Sequence, residues 1–214
     1  PLIVGTNPIA QAILRKPSDF GADIVIGEGQ ALGNAVNFGG PLLGIFACRQ
    51  EHVRKMPGRV IGLTRDADGH RAFCMTLQTR EQHIRREKAM SNICTNESLL
   101  AVASAAYVAV LGSNGLRRVA LECTRKARDL AAGIRMIPGF EAPIFKGAHF
   151  NEFTVRYQGG YETVHKALLK EGIHGGMQHA RHLKELRDFA LFAVTERHTQ
   201  KDVDRLLEAL RSIR

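Results

Sequence analysis

Residues 79–96 read TREQHIRREKAMSNICTN, and this stretch carries more chemistry than packing requires. Arg80, Arg85, Arg86 and Lys88, with Glu81 and Glu87 among them, run into a polar, uncharged loop from Ser91 to Asn96. A long apolar helix is predicted to follow, with Leu99, Leu100, Ala103, Ala106, Tyr107, Val110 and Leu111 at helical spacing. Thr95 is a favourable N-cap residue and Glu97 falls in the predicted first turn. A helix start of this kind presents free backbone N–H groups and about half a positive charge, which suits a phosphate, and Ser and Thr hydroxyls add donors. A plain cap, worth about 1 kcal/mol without any ligand, explains the same residues. The basic side chains read equally well as a solvated face paired with Glu81 and Glu87.

At 214 residues the chain is long enough to bury a sizeable core in one large domain or two small ones. Hydrophobic residues make up 44%, the composition of a soluble globular protein, and no apolar run approaches the ~20 residues of a membrane span. Nothing at the N-terminus has the form of a secretion signal, so the expected location is the cytoplasm. Cys48, Cys74, Cys94 and Cys123 are far apart in sequence, with no Cys-x-x-Cys pair, and are expected to be reduced. Cys48, Cys74 and Cys123 sit among apolar residues and are expected to be small core residues, whereas Cys94 lies in the polar loop. The formal charge of +9 implies affinity for anionic partners without saying which. A nucleic-acid-binding protein is disfavoured, because the acids are interspersed and no RNA motif, zinc finger or helix-turn-helix pattern is present. The nine histidines, His179 and His182 among them, have no carboxylate or cysteine placed in sequence to complete a metal set. Neither a Ser-His-Asp signature nor a phosphate loop occurs.

Along the chain, residues 1–5 and 22–27 read as buried strands flanking a short helix that starts at Pro8, the rhythm of a parallel sheet. An opening strand with no lead-in suggests a start inside a domain. Residues 28–44, EGQALGNAVNFGGPLLG, hold five glycines and a proline and must form a long loop, where backbone either approaches a ligand closely or simply turns. Residues 42–48 read as a strand and 50–56 as one or two helical turns. Residues 59–64 and 71–76 flank Asp66-Ala67-Asp68-Gly69, a hairpin pattern. The helix after Thr95 is expected to end at Gly112 and a second to run to Pro138-Gly139. Phe153, Val155 and Tyr157 alternate as a strand, residues 161–171 form an amphipathic helix closed by Gly172, and residues 188–196 form a buried strand. Thr199 and Asp202 cap the last helix. The domain boundary is placed at Gly112, giving units 1–112 and 113–214.

The segment 79–96 resembles the signature of the glycine cleavage system P-protein, the pyridoxal-phosphate-dependent glycine dehydrogenase (decarboxylating), and specifically its first subunit where the enzyme is split in two. The likeness extends to the glycine-rich segment at residues 23–44, to Met56-Pro57-Gly58-Arg59, to residues 172–176 and to Val194-Thr195-Glu196. It implies the C-terminal half of that subunit: an α/β chain holding the end of the large domain (1–112) and the α+β small domain (113–214) of a fold-type-I pyridoxal-phosphate transferase. In such enzymes a lysine forms the Schiff base with the cofactor, and in the split P-protein that lysine belongs to the second subunit. Aligned on Gly40-Pro41, its position here falls near Gln30, whose amide cannot form the bond, while Lys16 belongs to a different element.

The resemblance therefore implies no catalytic residue in this chain. Ser91, Asn92 and Thr95 are the expected cofactor-binding residues, lending donors to the phosphate of a shared pyridoxal phosphate, with Arg85 and Arg86 as weaker candidates. Implied partners are the second P-protein subunit, the lipoyl-bearing H-protein and glycine, with no nucleic acid and no membrane. A structural pseudoenzyme subunit that stabilises its partner without touching the cofactor is the alternative. The chain departs from the family at Met90, usually threonine, at His174, where an apolar residue is common, and at Ala31 and Leu42, usually a proline and an aromatic.

Overall fold

The computed structural model describes residues 1–89, 97–179 and 183–213, which divide into two compact units, Pro1–Gly112 and Ser113–Arg214. In the first, strands β1 (Ile3–Thr6) and β2 (Ile24–Glu28) pair in parallel, and β3 (Gly44–Cys48) pairs with β2 antiparallel, Glu28 opposite Gly44. A crossover through two single 3-10 turns, Ala10–Ala12 and Pro17–Phe20, joins β1 to β2 and keeps them parallel. The expected helix at Pro8 is thus only such turns. The glycine-rich loop instead folds back directly, with the Gly29 N–H donating to the Leu43 carbonyl at 2.6 Å, so β3 must run the other way. The Asp23 carboxylate ties this sheet to its neighbours: it accepts the Leu2 N–H at 2.7 Å and pairs with Arg49 at 3.0 Å, which hold it below the usual carboxylate range. β1 and β2 are not fully buried as their apolar runs suggested: Ile3 and Ile26 are 55% and 41% exposed.

Strands β4 (Val60–Arg65) and β5 (Arg71–Thr76) form the expected hairpin, in register from Val60 opposite Thr76 to Arg65 opposite Arg71. Asp66 makes its turn, Oδ1 accepting from the Asp68 and His70 N–H groups at 3.0 and 2.8 Å. The short helix α1 (Gln82–Arg85) follows. Helix α2 (Ser98–Arg135) has the length and apolar composition to reach across a membrane, contrary to the reading from runs alone. It is not one rod, however. Gly112 has φ 61° and ψ −176°, so the apolar piece before it is about 21 Å long at 1.5 Å per residue, short of the ~30 Å of a bilayer core. Glu97, expected in the first turn, precedes the helix and its carbonyl accepts the Ala101 N–H at 3.0 Å.

The second unit is built on an antiparallel sheet of order β6-β7-β9-β8, from β6 (Phe140–Glu141), β7 (Glu152–Tyr157), β8 (Met177–Gln178) and β9 (Phe189–Ala193). Helices α3 (Tyr161–Lys170) and α4 (Gln200–Ser212) join the part of α2 after Gly112 around one core, in which Leu130, Ile134, Val155, Tyr157, Leu168 and Leu210 are fully buried. These side chains recur at helical spacing on α2 and at every second residue on β7, which is why the pattern was readable. The Tyr157 hydroxyl, its ionisation pushed far up by burial, donates to the Gly175 carbonyl at 2.7 Å. A reciprocal capping box starts α4: Thr199 Oγ1 accepts the Asp202 N–H and the Asp202 carboxylate accepts the Thr199 N–H at 2.7 Å. β6 and β8, two residues each, are too short to leave a periodic signal.

Candidate functional site

The glycine-rich loop between β2 and β3 has a defined shape because one carboxylate closes it. Glu28 Oε1 accepts the N–H of Gln30 and the N–H of Leu43, each at 3.0 Å, so the two ends of the loop share a single acceptor. Within the loop the Leu32 N–H donates to Gly29 and the Asn34 N–H to Gln30, a helical turn that carries the chain onto α2. There Asn34 Nδ2 donates to Ser104 Oγ at 2.7 Å, and Ser104 is only 5% exposed. Gly33 meets the same helix with φ +85°, and a Cβ built on it would lie 2.7 Å from the Tyr107 ring. Only glycine satisfies both the angle and the contact. Beyond this dock the loop projects Val36 and Phe38, which are 79% and 102% exposed, with φ 55° at Phe38.

Gln30 sits at the root of this loop, partly buried, and its Nε2 donates to the Ala35 carbonyl at 3.2 Å. Its nitrogen belongs to an amide and is engaged with the loop's own backbone, so this position does not fit covalent attachment of an aldehyde cofactor. Lys16 begins the Pro17–Phe20 turn, away from the loop in sequence and in element. Ser91, Asn92 and Thr95, with Met90 and Cys94, lie outside the described residues. Of the flanking cations, Arg85 turns its Nε back onto the Thr79 carbonyl at 2.8 Å, which commits it to local structure, and exposed Arg86 has φ 52°. Sequence reasoning missed the Glu28 clamp and the Asn34–Ser104 dock; both join residues distant in sequence, and the only available signal was an acid placed just before a glycine run.

Two cavities lie within the second unit. The larger, about 560 Å³, is walled by Leu130, Ile173, Phe192, Val203 and Leu206. Three of the polar groups at its edge are already used: Asp202 in the cap, His198 Nδ1 by the Thr195 N–H at 3.0 Å, and Arg205 by the Glu171 carbonyl. The smaller, about 420 Å³, is lined by Tyr161, Glu162, His165, His174, Met177 and Gln178. His179, singled out in the sequence, bonds Thr154 Oγ1 at 3.1 Å, and His182 lies outside the described residues.

A parallel strand pair, a glycine-rich loop docked on a long helix and an antiparallel C-terminal sheet with helices define a class, the fold-type-I pyridoxal-phosphate-dependent transferases. A NifS-like protein from Rickettsia africae shares this fold over 99% of the chain, with a TM-score of 0.63 at 12% identity. Far nearer is a glycine decarboxylase (P-protein) of the glycine cleavage system, solved in inhibitor-bound form: TM-score 0.90 and 41% identity over 99% of this chain and 48% of that one. The sequence matches the family described as glycine cleavage system P-protein over residues 1–210, and the chain belongs to that family. Among curated relatives, the probable glycine dehydrogenase (decarboxylating) subunit 1 of Staphylothermus marinus is 49% identical over 99% of this chain and 46% of its own length. That of Thermomicrobium roseum is 50% identical over 98% of this chain and 47% of its own length. The chain thus spans about half the length of the curated relatives it matches.

Proposed function

We propose that this chain forms part of the first subunit of a cytoplasmic, heteromeric glycine decarboxylase of the glycine cleavage system. In this reading glycine loses its carboxyl group as carbon dioxide and its aminomethyl group passes to the lipoyl arm of the H-protein. Bound pyridoxal phosphate supplies the electron sink for that chemistry. The chain's own share is to complete the pocket without the covalent lysine, which the second subunit carries. By the resemblance the lysine position falls near Gln30, which offers a non-nucleophilic amide engaged with the Ala35 carbonyl. Glu28 holds the glycine-rich loop in one shape, and Ser91, Asn92 and Thr95 lend hydrogen-bond donors to the cofactor phosphate. The +9 charge favours docking of an acidic carrier protein.

The observation that carries this reading is the fit to a glycine decarboxylase at TM-score 0.90 combined with an amide at position 30. The test is the absorbance of added pyridoxal phosphate in the subunit carrying this chain, alone and mixed with the second subunit. A band of covalently held cofactor is expected only in the mixture, weakened by Thr95→Ala while the heteromer stays intact. A band from this subunit alone would overturn the assignment of Gln30. Unchanged cofactor affinity in Thr95→Ala would favour the pseudoenzyme scaffold. Carrier binding insensitive to salt would remove the electrostatic docking role.

A further inference from the structure

Helix α3 and the turn after it bring Glu162, His165 and His174 to the smaller cavity of the second unit. Glu162 and His165 are three positions apart on α3, a spacing that sets two side chains on one helix face. After α3 ends, Gly172 takes φ +68° and the chain turns back, which places the His174 ring edge-on to that of His165, centroids 4.8 Å apart at 74°. Tyr161 stacks on His165 at 4.9 Å and 15°, and its own hydroxyl donates to the Gly176 carbonyl at 2.9 Å, so the first imidazole is held in a built wall. His165 Nδ1 is buried and has no hydrogen-bond partner among the described residues, although buried polar atoms are nearly always paired.

We propose that Glu162, His165 and His174 form a binding site for a divalent transition metal of the zinc, nickel or copper(II) class. Two imidazoles and one carboxylate suit such ions, whereas magnesium and calcium take oxygen ligands. The carboxylate partly offsets the dication's charge, and Glu162 is exposed and able to swing onto the ion. A cavity of about 420 Å³ leaves room for water at the remaining coordination positions. Glu162, His165 and His174 do not have all their ligand atoms within 4.8 Å of one another as they stand, so the exposed Glu162 and His174 side chains must rotate onto the ion; two other clusters, Asp23–Glu51–His52 and Asp66–Asp68–His70, already have that spacing, but each offers a single imidazole. Asp23 is also committed to Leu2 and Arg49, and Asp66 to its own turn.

The test is calorimetric titration of the whole chain with zinc chloride, with magnesium chloride as the contrast. One zinc site is expected, weakened in His174→Ala and in Glu162→Gln by at least the roughly tenfold that losing even an outer partner of a metal ligand costs. It is expected to be unchanged in His70→Ala, and magnesium is expected not to compete. Positions 162 and 174 are both exposed, so the variants should fold, which circular dichroism melts would verify. Should a variant melt early, copper(II) broadening of imidazole NMR signals in the unmodified chain decides, with His165 and His174 expected to vanish first. The proposal is overturned by absent zinc binding, by affinity in both variants equal to that of the unaltered chain, by loss with His70→Ala, or by first broadening at other histidines.

Discussion

The side-chain amide of Asn34 donates to the hydroxyl of Ser104 at 2.7 Å, joining the glycine-rich loop to helix α2 across 70 residues of sequence. Ser104 is one of few buried polar side chains among the described residues, so the bond forms where water does not readily replace it. Asn34→Ala and Ser104→Ala are each expected to cost about 1 kcal/mol in urea unfolding, with a coupling of ~0.5–1.5 kcal/mol in the double-mutant cycle. Strictly additive losses would mean that the dock rests on Gly33 and Tyr107 instead.

Gly33 and Gly21 separate conformational strain from crowding. Both have positive φ, +85° and +82°, but a Cβ on Gly33 would strike Tyr107 at 2.7 Å, whereas one on Gly21 would meet nothing within 4 Å. Gly21→Ala therefore carries only the left-handed backbone cost of ~1–2 kcal/mol. Gly33→Ala adds an overpacking term of ~1–3 kcal/mol against the base of the ring, which cannot swing aside as a flexible tip would. Equal destabilisation of the two variants would show that helix α2 gives way.

Much of this fold was legible because its determinants are local. The Thr199–Asp202 capping box, the Asp66 turn and the break at Gly112 each lie within a few residues of the structure they set. Burial was less legible. The runs at residues 1–5 and 22–27 predicted strands correctly, but their exposure depends on what packs over them, which periodicity does not encode, and Ile3 and Ile26 are half open. At the candidate site, the sequence showed an amide at Gln30, a group that cannot form a Schiff base, whereas the closure of the loop by Glu28 needed three dimensions. Ser91, Asn92 and Thr95, read from a helix start and a resemblance, lie outside the described residues.

Glu28 and its substitutions test whether the loop's shape depends on one acceptor. Glu28→Ala leaves the Gln30 and Leu43 N–H groups without it and is expected to cost ~1–3 kcal/mol locally. Cleavage by a nonspecific protease within residues 29–43 should accelerate accordingly. Glu28→Gln keeps an amide oxygen able to accept both bonds, so its cleavage rate should stay near that of the unaltered chain. If the two variants are cut equally fast, the carboxylate's charge rather than its geometry closes the loop.

Thiol chemistry should divide the cysteines by environment. Burial, and then the facing Glu196 carboxylate 3.5 Å from its sulfur, push the Cys123 thiol up to about 11, although the Glu196 backbone opposes the shift. The residue is 2% exposed and is the only one of the three expected core cysteines that is buried: Cys48 is half-buried and Cys74 is exposed on β5 of the hairpin, because apolar sequence neighbours do not decide which face of a strand is covered. Because the thiolate is the nucleophile, iodoacetamide at pH 8 should label Cys74 in the native chain and reach Cys123 only after unfolding. Peptide mass mapping of the labelled chain reads both, and native labelling of Cys123 would mean that the contact between α2 and Glu196 opens readily.

Acid should loosen the start of α4 through Asp202. Hydrogen bonds from the Thr199 backbone and hydroxyl hold this carboxyl below its ordinary value of 3.8. A carboxyl depressed on folding stabilises the native state above its unfolded value, and that contribution fades as pH falls through the folded one. At neutral pH, Asp202→Asn should therefore lower Tm, because an uncharged amide oxygen accepts the two bonds more weakly than a carboxylate does. As pH drops from about 5 towards 2, the difference in Tm between the unaltered chain and the variant should shrink towards zero, while other carboxyls titrate alike in both and cancel. A gap that persists in acid would assign the cap's contribution to Thr199 Oγ1 and the Asp202 N–H alone, with the charge contributing nothing.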